Sequence, residues 1–126
     1  MRPRREHVYC GLCHVFNAIP LWGLLFCGWV WFTMREESRF VVYHARQAMT
    51  FHVLLMLALL IYAALELVSR VMGVLLPSFG GVLRQANDII LKVLLIAYVV
   101  ICVEGGLQCL IGRRFHYPLL GRRGAP

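Results

Sequence analysis

Two stretches of this chain are strongly apolar, carry few or no charges and are long enough to form membrane-spanning helices. Gln47–Leu65 contains 19 residues and no charge. The run over 89–112 contains only two charged residues, Lys92 and Glu104. As helices rising about 1.5 Å per residue, both are long enough to cross a hydrocarbon core about 30 Å thick. The composition agrees, since 60% of the 126 residues are hydrophobic and 15% are charged, whereas soluble domains hold about 25% charged residues. We therefore predict an all-α integral membrane protein with a single membrane domain over 1–126.

His7–Met34 is the longest uncharged run, at 28 residues. A straight helix of that length reaches about 42 Å, well beyond the hydrocarbon core. Asn17 and Pro20 interrupt the run near its middle, and a proline ends or kinks a helix. Two interpretations follow: a single tilted and kinked span, or two half-helices over about 7–18 and 21–34 that form a re-entrant hairpin.

The distribution of basic residues favours the hairpin. If the first run dips into the membrane and returns, the N-terminus, the polar junction at 35–46 and the C-terminus share one side and carry ten Lys and Arg residues. The opposite loop then holds only Arg70 and Arg84. Three full spans would instead divide the basic residues five against seven. Because basic residues collect on the cytoplasmic side of a membrane, we predict the re-entrant form, with both termini in the cytoplasm.

The polar junction leads into the second apolar segment without a helix breaker. From Phe40 onward, apolar residues share the sequence with polar residues that a helix tolerates. The pattern predicts one long helix over about 40–69, interfacial at first and spanning over about 47–69. The far end of the chain, 119–126, is predicted to be disordered.

Two further apolar segments follow the long helix. The 13-residue run at 71–83 is too short to span and contains Pro77, so it predicts a short interfacial segment. Asn87 or Asp88 can cap the last span, which we place at about 89–112.

Two stretches of the chain resemble a known family of small membrane proteins. They are Arg35–His52 and Gly112–Pro118. Together they resemble the signature of the bacterial proteins related to the twenty-kilodalton component of the chloroplast inner-envelope import translocon. The corresponding positions are Glu37, Ser38, Phe40, Val41, His44, Gln47, Ala48, Thr50, Phe51, His52, Gly112, Tyr117 and Pro118. Three residues depart from the family pattern: Arg39 stands where Pro is common, Thr50 where Asn is, and His52 where Gln is.

The resemblance covers roughly 12–118. It implies a compact helical protein of the bacterial inner membrane, from a domain-of-unknown-function family with no established enzymatic activity. Its distant link to protein import makes an oligomeric translocation component one alternative function.

All five cysteines lie in apolar segments, and their odd number does not indicate a secreted disulfide framework. Cys10, Cys13 and His14 spell the attachment pattern of a c-type haem. That haem is attached on the outer face of a membrane, whereas the basic N-terminus places this pattern near the inner face. The same three residues could bind a metal ion, but no second close pair completes a tetrahedral set. We therefore predict no metal site and no haem c, and interpret the cysteines as small buried apolar residues.

Three ionisable residues are predicted to lie at a similar depth within the apolar segments: His14, His52 and Glu104. Ionisable groups inside a membrane are functional candidates by default. A cluster of these three could bind a proton, a haem b or a quinone head group. The simpler alternative, which we prefer, is that they hydrogen-bond to each other and hold helices together, at about 0.6–2 kcal/mol per contact.

The sequence carries no recognisable catalytic constellation and no basic stripe with interleaved aromatics for nucleic acid. We therefore predict a non-enzymatic integral membrane protein without a soluble substrate or a cofactor. It would act as a small accessory, assembly or scaffolding subunit that packs against other membrane proteins or itself. A redox or proton-handling subunit built on the three ionisable residues is the main alternative.

Overall fold

The computed structural model describes residues 3–19, 21–113, 115 and 117, and these residues form helices and turns without a strand. The four helices are α1 (Pro3–Phe16), α2 (Trp22–Met34), α3 (Arg39–Leu75) and α4 (Pro77–Leu110). The all-α prediction is confirmed. The chain divides into two compact units, the first from Met1–Val53 with Val99–Pro126 and the second from Leu54–Tyr98.

The first apolar run folds as two helices that pack against each other. A turn follows α1, and Leu21 adopts a φ of 65°, in the left-handed region that a non-glycine residue rarely occupies. The Phe16 and Phe26 rings stack with their centroids 4.8 Å apart. The Cys27 thiol donates to the Cys13 carbonyl at 3.3 Å. Of the two interpretations, the chain adopts the form with two half-helices, while its re-entrant placement in a membrane stays a prediction.

Helix α3 begins at the polar junction and runs without interruption into the second apolar segment. Its 37 residues confirm the predicted continuity and extend the helix from 69 to Leu75. The side chain of Ser38 caps its start by accepting a hydrogen bond from the Val41 amide at 3.4 Å. Within the first unit, the early turns of α3 pack against α1 and α2. The buried apolar core there consists of Cys13, Cys27, Val30, Met34, Val41, Ala45 and Ala48.

The predicted interfacial segment at 71–83 is wrong, and so is the start of the last helix near 89. Helix α3 continues to Leu75, and α4 begins at Pro77, so only Leu76 lies between them. A proline suits the first position of a helix, where its missing N–H has no helical partner to lose. A Cβ on Gly80 would collide with the backbone of Gly73, so glycine permits this tight reversal.

The second unit is a pair of helices that contact each other through polar side chains. Asn87 is not a helix cap: its amide donates to the Ser69 hydroxyl on α3 at 2.9 Å. The Glu66 carboxylate lies 3.0 Å from the Arg70 guanidinium and 3.7 Å from that of Arg84. The two helices therefore meet through a hydrogen bond and an ion pair, besides apolar contact.

Both long helices are candidate membrane spans by length and composition. Each contains an 18-residue window with a mean hydropathy of 2.3. Only 17% of that window in α3 and 22% in α4 is buried inside the protein. A core helix of a soluble protein would bury most of such a window, so most of this apolar surface is left for another apolar environment.

Candidate functional site

Four buried side chains that can bind a metal ion meet in the first unit. Cys10 and His14 lie one turn apart on α1 and therefore share a face. His44 comes from α3 and Cys109 from α4. One ligand atom from each lies within 4.8 Å of all the others, and all four residues are buried. We call these four side chains the thiol–imidazole cluster.

The distances inside the cluster are those of polar contact. Nε2 of His14 lies 3.2 Å from Nδ1 of His44. Sγ of Cys109 lies 3.7 Å from the same Nδ1 atom, and the thiols of Cys109 and Cys10 lie within 4.8 Å of each other. The other ring nitrogen of His44 is buried without a hydrogen-bond partner among the described residues. His44 therefore makes its polar contacts through Nδ1, the ring nitrogen that faces the other cluster residues.

Tyr117, which follows α4 in the chain, contacts the second ring nitrogen of His14. The Tyr117 hydroxyl lies 2.7 Å from Nδ1 of His14, and both side chains are buried. The Tyr117 ring stacks on Phe51, with centroids 4.0 Å apart and planes 22° apart. The Phe115 ring meets His14 edge to face at 5.6 Å. Aromatic packing therefore keeps the Tyr117 hydroxyl in place, and this hydroxyl orients the His14 imidazole.

The end of α4 directs this aromatic segment back onto the first unit. Gly112 has a φ of 79°, and its amide donates to the Cys109 carbonyl at 3.0 Å. The Arg113 amide donates to the Gln108 carbonyl at 2.9 Å. This pair of bonds is the Schellman motif, in which a left-handed glycine stops a helix. The predicted motif at 112–118 therefore contains a helix stop that precedes the aromatic contacts.

Small residues let α1 and α4 approach closely beside the cluster. A Cβ on Gly106 would lie 2.5 Å from Cγ2 of Val15 and 3.2 Å from the Gly11 carbonyl oxygen. A Cβ on Gly105 would lie 2.7 Å from the Phe115 ring. Such contacts leave little room for a side chain, so glycine at these two positions permits the close approach of α4 to α1 and to the Phe115 ring.

The three ionisable residues predicted to cluster do not all meet. His14 belongs to the thiol–imidazole cluster, and His52 is buried next to the backbone of Asn17. Glu104 is exposed and accepts a hydrogen bond from Gln108 at 3.0 Å. The structure therefore does not place the Glu104 carboxylate in the buried environment of the two histidines.

The haem-like pattern is also divided between two environments. The Cys10 and His14 side chains belong to the cluster, whereas Cys13 is part of the apolar core with Cys27. Sequence reasoning missed the second pair, His44 and Cys109, because each lies far along the chain from α1. The signal available was the i, i+4 spacing of Cys10 and His14, which places the two side chains on one helix face.

Several residues that carried the family resemblance lie at helix ends or are buried. Ser38 caps α3, Gly112 stops α4, and Glu37 is exposed. Pro118 lies outside the described residues. The buried members of this set are Ser38, Val41, His44, Gln47, Ala48, Phe51, His52 and Tyr117.

A comparison with protein families matches residues 5–123 to the magnetosome magnetite crystal formation protein family, MamF/MmsF. The chain belongs to this family. The proposed relationship to the import translocon component is therefore wrong. Helix caps, helix stops and buried positions determine packing, and they did not distinguish one membrane family from another. No curated protein and no solved structure matches the chain.

Membership of MamF/MmsF bears on the predicted activity as well. The family is defined by magnetite crystal formation in magnetosomes and is not one of enzymes. The prediction of a protein without enzymatic activity is thereby confirmed. The correction also removes the reason for considering a protein-translocation component, because that alternative depended on the import relationship alone.

Proposed function

We propose that this chain acts in magnetite crystal formation as a small integral membrane subunit that packs against other membrane proteins. The observation that carries the proposal is the family match over 5–123, nearly the whole chain. The exposed apolar surface of α3 and α4 supports the membrane placement, because a helix pair with so little burial needs lipid or another membrane protein around it.

An accessory role suits the organisation of the polar groups. In the first unit, the buried groups contact one another: His14 lies against Tyr117 and His44, and the Asn17 amide donates to the Ala48 carbonyl at 3.0 Å. In the second unit, the Glu66 carboxylate is paired with basic side chains. These contacts rigidify the helices, so we propose that the protein contributes a fixed surface to an assembly rather than a catalytic step.

Deletion of the gene from a magnetite-forming bacterium, followed by its reintroduction, tests the proposal. Loss of the chain is expected to change the size, shape or number of the crystals seen by electron microscopy, and the intact chain should restore them. Normal crystals without the chain would contradict a role in crystal formation.

Membrane integration needs a separate measurement. The chain should stay with the membrane fraction through an alkaline carbonate wash and be released by detergent. Release by carbonate alone would contradict the integral placement, whatever the outcome for the crystals.

A further inference from the structure

We propose that the thiol–imidazole cluster is a resident Zn²⁺ site, in which Cys10, His14, His44 and Cys109 supply all four ligands. The site does not depend on the role in crystal formation, and it can be measured on the purified chain. Three helices of the first unit contribute, because the two α1 residues pair with one residue from α3 and one from α4.

The spacing of the ligand atoms fits tetrahedral coordination. Zinc binds thiolate sulfur at about 2.3 Å and imidazole nitrogen at about 2.0–2.1 Å. A tetrahedron with those bond lengths places two nitrogens about 3.3 Å apart, and a nitrogen and a sulfur about 3.6 Å apart. Here the two imidazole nitrogens are 3.2 Å apart, and Sγ of Cys109 is 3.7 Å from Nδ1 of His44. One ion can therefore reach these three atoms with little rearrangement, and Sγ of Cys10 lies within 4.8 Å of each of them.

The charge of the ligand set fits a buried site. Two thiolates neutralise a divalent cation, and two neutral imidazoles complete the coordination, so the centre carries no net charge. A charge buried without compensation would be strongly unfavourable. All four ligands are buried, and a neutral centre is therefore the form of metal site that this environment accommodates.

The environment of His14 has the feature that usually accompanies a metal-binding histidine. Such histidines donate their other ring N–H to a hydrogen-bond acceptor, which fixes the tautomer and the ring orientation. The Tyr117 hydroxyl lies 2.7 Å from Nδ1 of His14. With Nδ1–H donating to that oxygen, the lone pair on Nε2 faces the cluster.

The ligand types select zinc among common divalent ions. Thiolate ligands disfavour Mg²⁺ and Ca²⁺, which bind oxygen. Iron(II) is the competitor, since magnetite is an iron oxide, but a closed tetrahedral set of two thiolates and two imidazoles is the ligand type and geometry of structural zinc sites. Four protein ligands also leave no open position for a substrate. We therefore assign the ion a structural role, linking α1, α3 and α4 within the first unit.

Metal analysis of the full chain tests the assignment directly. The protein would be purified in detergent without chelators, its metals measured by mass spectrometry and its zinc environment by X-ray absorption. The expected result is about one zinc per chain with a shell of two sulfurs and two nitrogens. A metal-free chain, iron in place of zinc, an oxygen-rich shell or a disulfide between Cys10 and Cys109 would overturn the proposal.

Matched cysteine variants show whether the cluster holds the ion. Cys109→Ser is expected to lose at least about nine-tenths of the zinc, because a ligand is removed. Cys102→Ser makes the same change at a buried cysteine of α4 outside the cluster and should keep its zinc. Equal zinc contents in the two variants would overturn the assignment.

A third variant covers the case in which Cys109→Ser does not fold. Cys109→His replaces the thiolate by another zinc ligand and is expected to retain zinc with a shell of one sulfur and three nitrogens. Two sulfurs in that variant would place the ion elsewhere and overturn the assignment.

Discussion

The hydroxyl of Tyr117 lies 2.7 Å from Nδ1 of His14, although 103 positions separate the two residues in the chain. The contact joins the segment after α4 to the last turn of α1, and both side chains are buried. It depends on the helix stop at Gly112 and on the stacking of Tyr117 against Phe51. The presence of this hydrogen bond therefore indicates that the first unit is correctly assembled.

Tyr117→Phe removes this hydrogen bond and keeps the aromatic ring. We expect the free energy of unfolding to fall by about 1–3 kcal/mol, because a buried imidazole nitrogen loses its partner while the ring still packs on Phe51. Denaturant unfolding in detergent micelles, followed by circular dichroism, measures the loss. Tyr62→Phe, at a partly buried tyrosine in the second unit, is the control and should change stability by less. Equal losses in the two variants would show that the His14 contact is unimportant.

Gly106→Ala tests the close approach of α1 and α4. The added methyl group would lie 2.5 Å from Cγ2 of Val15 and 3.2 Å from the Gly11 carbonyl oxygen. Overpacking of this kind costs about 1–3 kcal/mol, and most of this range exceeds the roughly 1 kcal/mol that alanine gains over glycine in a helix. The midpoint of thermal unfolding is therefore expected to fall.

Gly81→Ala is the matched control for this substitution. It changes a glycine of the same helix where an added Cβ meets nothing within 4 Å, so the helix propensity of alanine should raise the midpoint. A rise for both variants would mean that α1 and α4 separate at little cost.

The parts of the fold that depend on local chemistry could be predicted from the sequence. Asn17 and Pro20 indicated the break between α1 and α2, and the polar junction before Phe40 led into one long helix that the structure confirms. The start of α4 was missed because Pro77 was treated as a breaker, whereas proline is well suited to a first helical position.

The site could be predicted only in part because its members meet through tertiary packing. His14 and His44 are 30 positions apart, and His44 and Cys109 are 65 apart. Gly105 and Gly106 turn one face of α4 toward α1 and the aromatic segment. Glu104 consequently lies on an exposed face. Hydropathy indicates that a segment is apolar, but it does not fix the rotation of a helix about its axis.

A double-mutant cycle on Ser69 and Asn87 measures the polar contact in the second unit. The Asn87 amide donates to the Ser69 hydroxyl at 2.9 Å, and hydrogen bonds between helices in an apolar environment couple by about 0.6–1.7 kcal/mol. We expect a coupling in this range between Ser69→Ala and Asn87→Ala when unfolding is measured in mixed micelles.

The cycle has a control in the neighbouring residue. Asp88 follows Asn87 but is exposed, so Ser69→Ala and Asp88→Ala should be additive within about 0.5 kcal/mol. Equal couplings in both cycles would mean that the Ser69 and Asn87 side chains do not interact specifically.

The predicted membrane topology can be tested with single engineered cysteines. Arg5→Cys and Glu37→Cys introduce thiols at exposed positions, the first in the first turn of α1 and the second just after α2, whereas the five native cysteines are buried. If the pair is re-entrant, both positions face the cytoplasm, as the excess of basic residues predicts. An impermeant maleimide should then label neither site in intact spheroplasts and both in inverted membrane vesicles. The unmodified chain, with its buried thiols, controls for background labelling. Labelling of only one of the two positions in spheroplasts would mean that α1 and α2 together cross the membrane, and the prediction of a shared cytoplasmic side would be wrong.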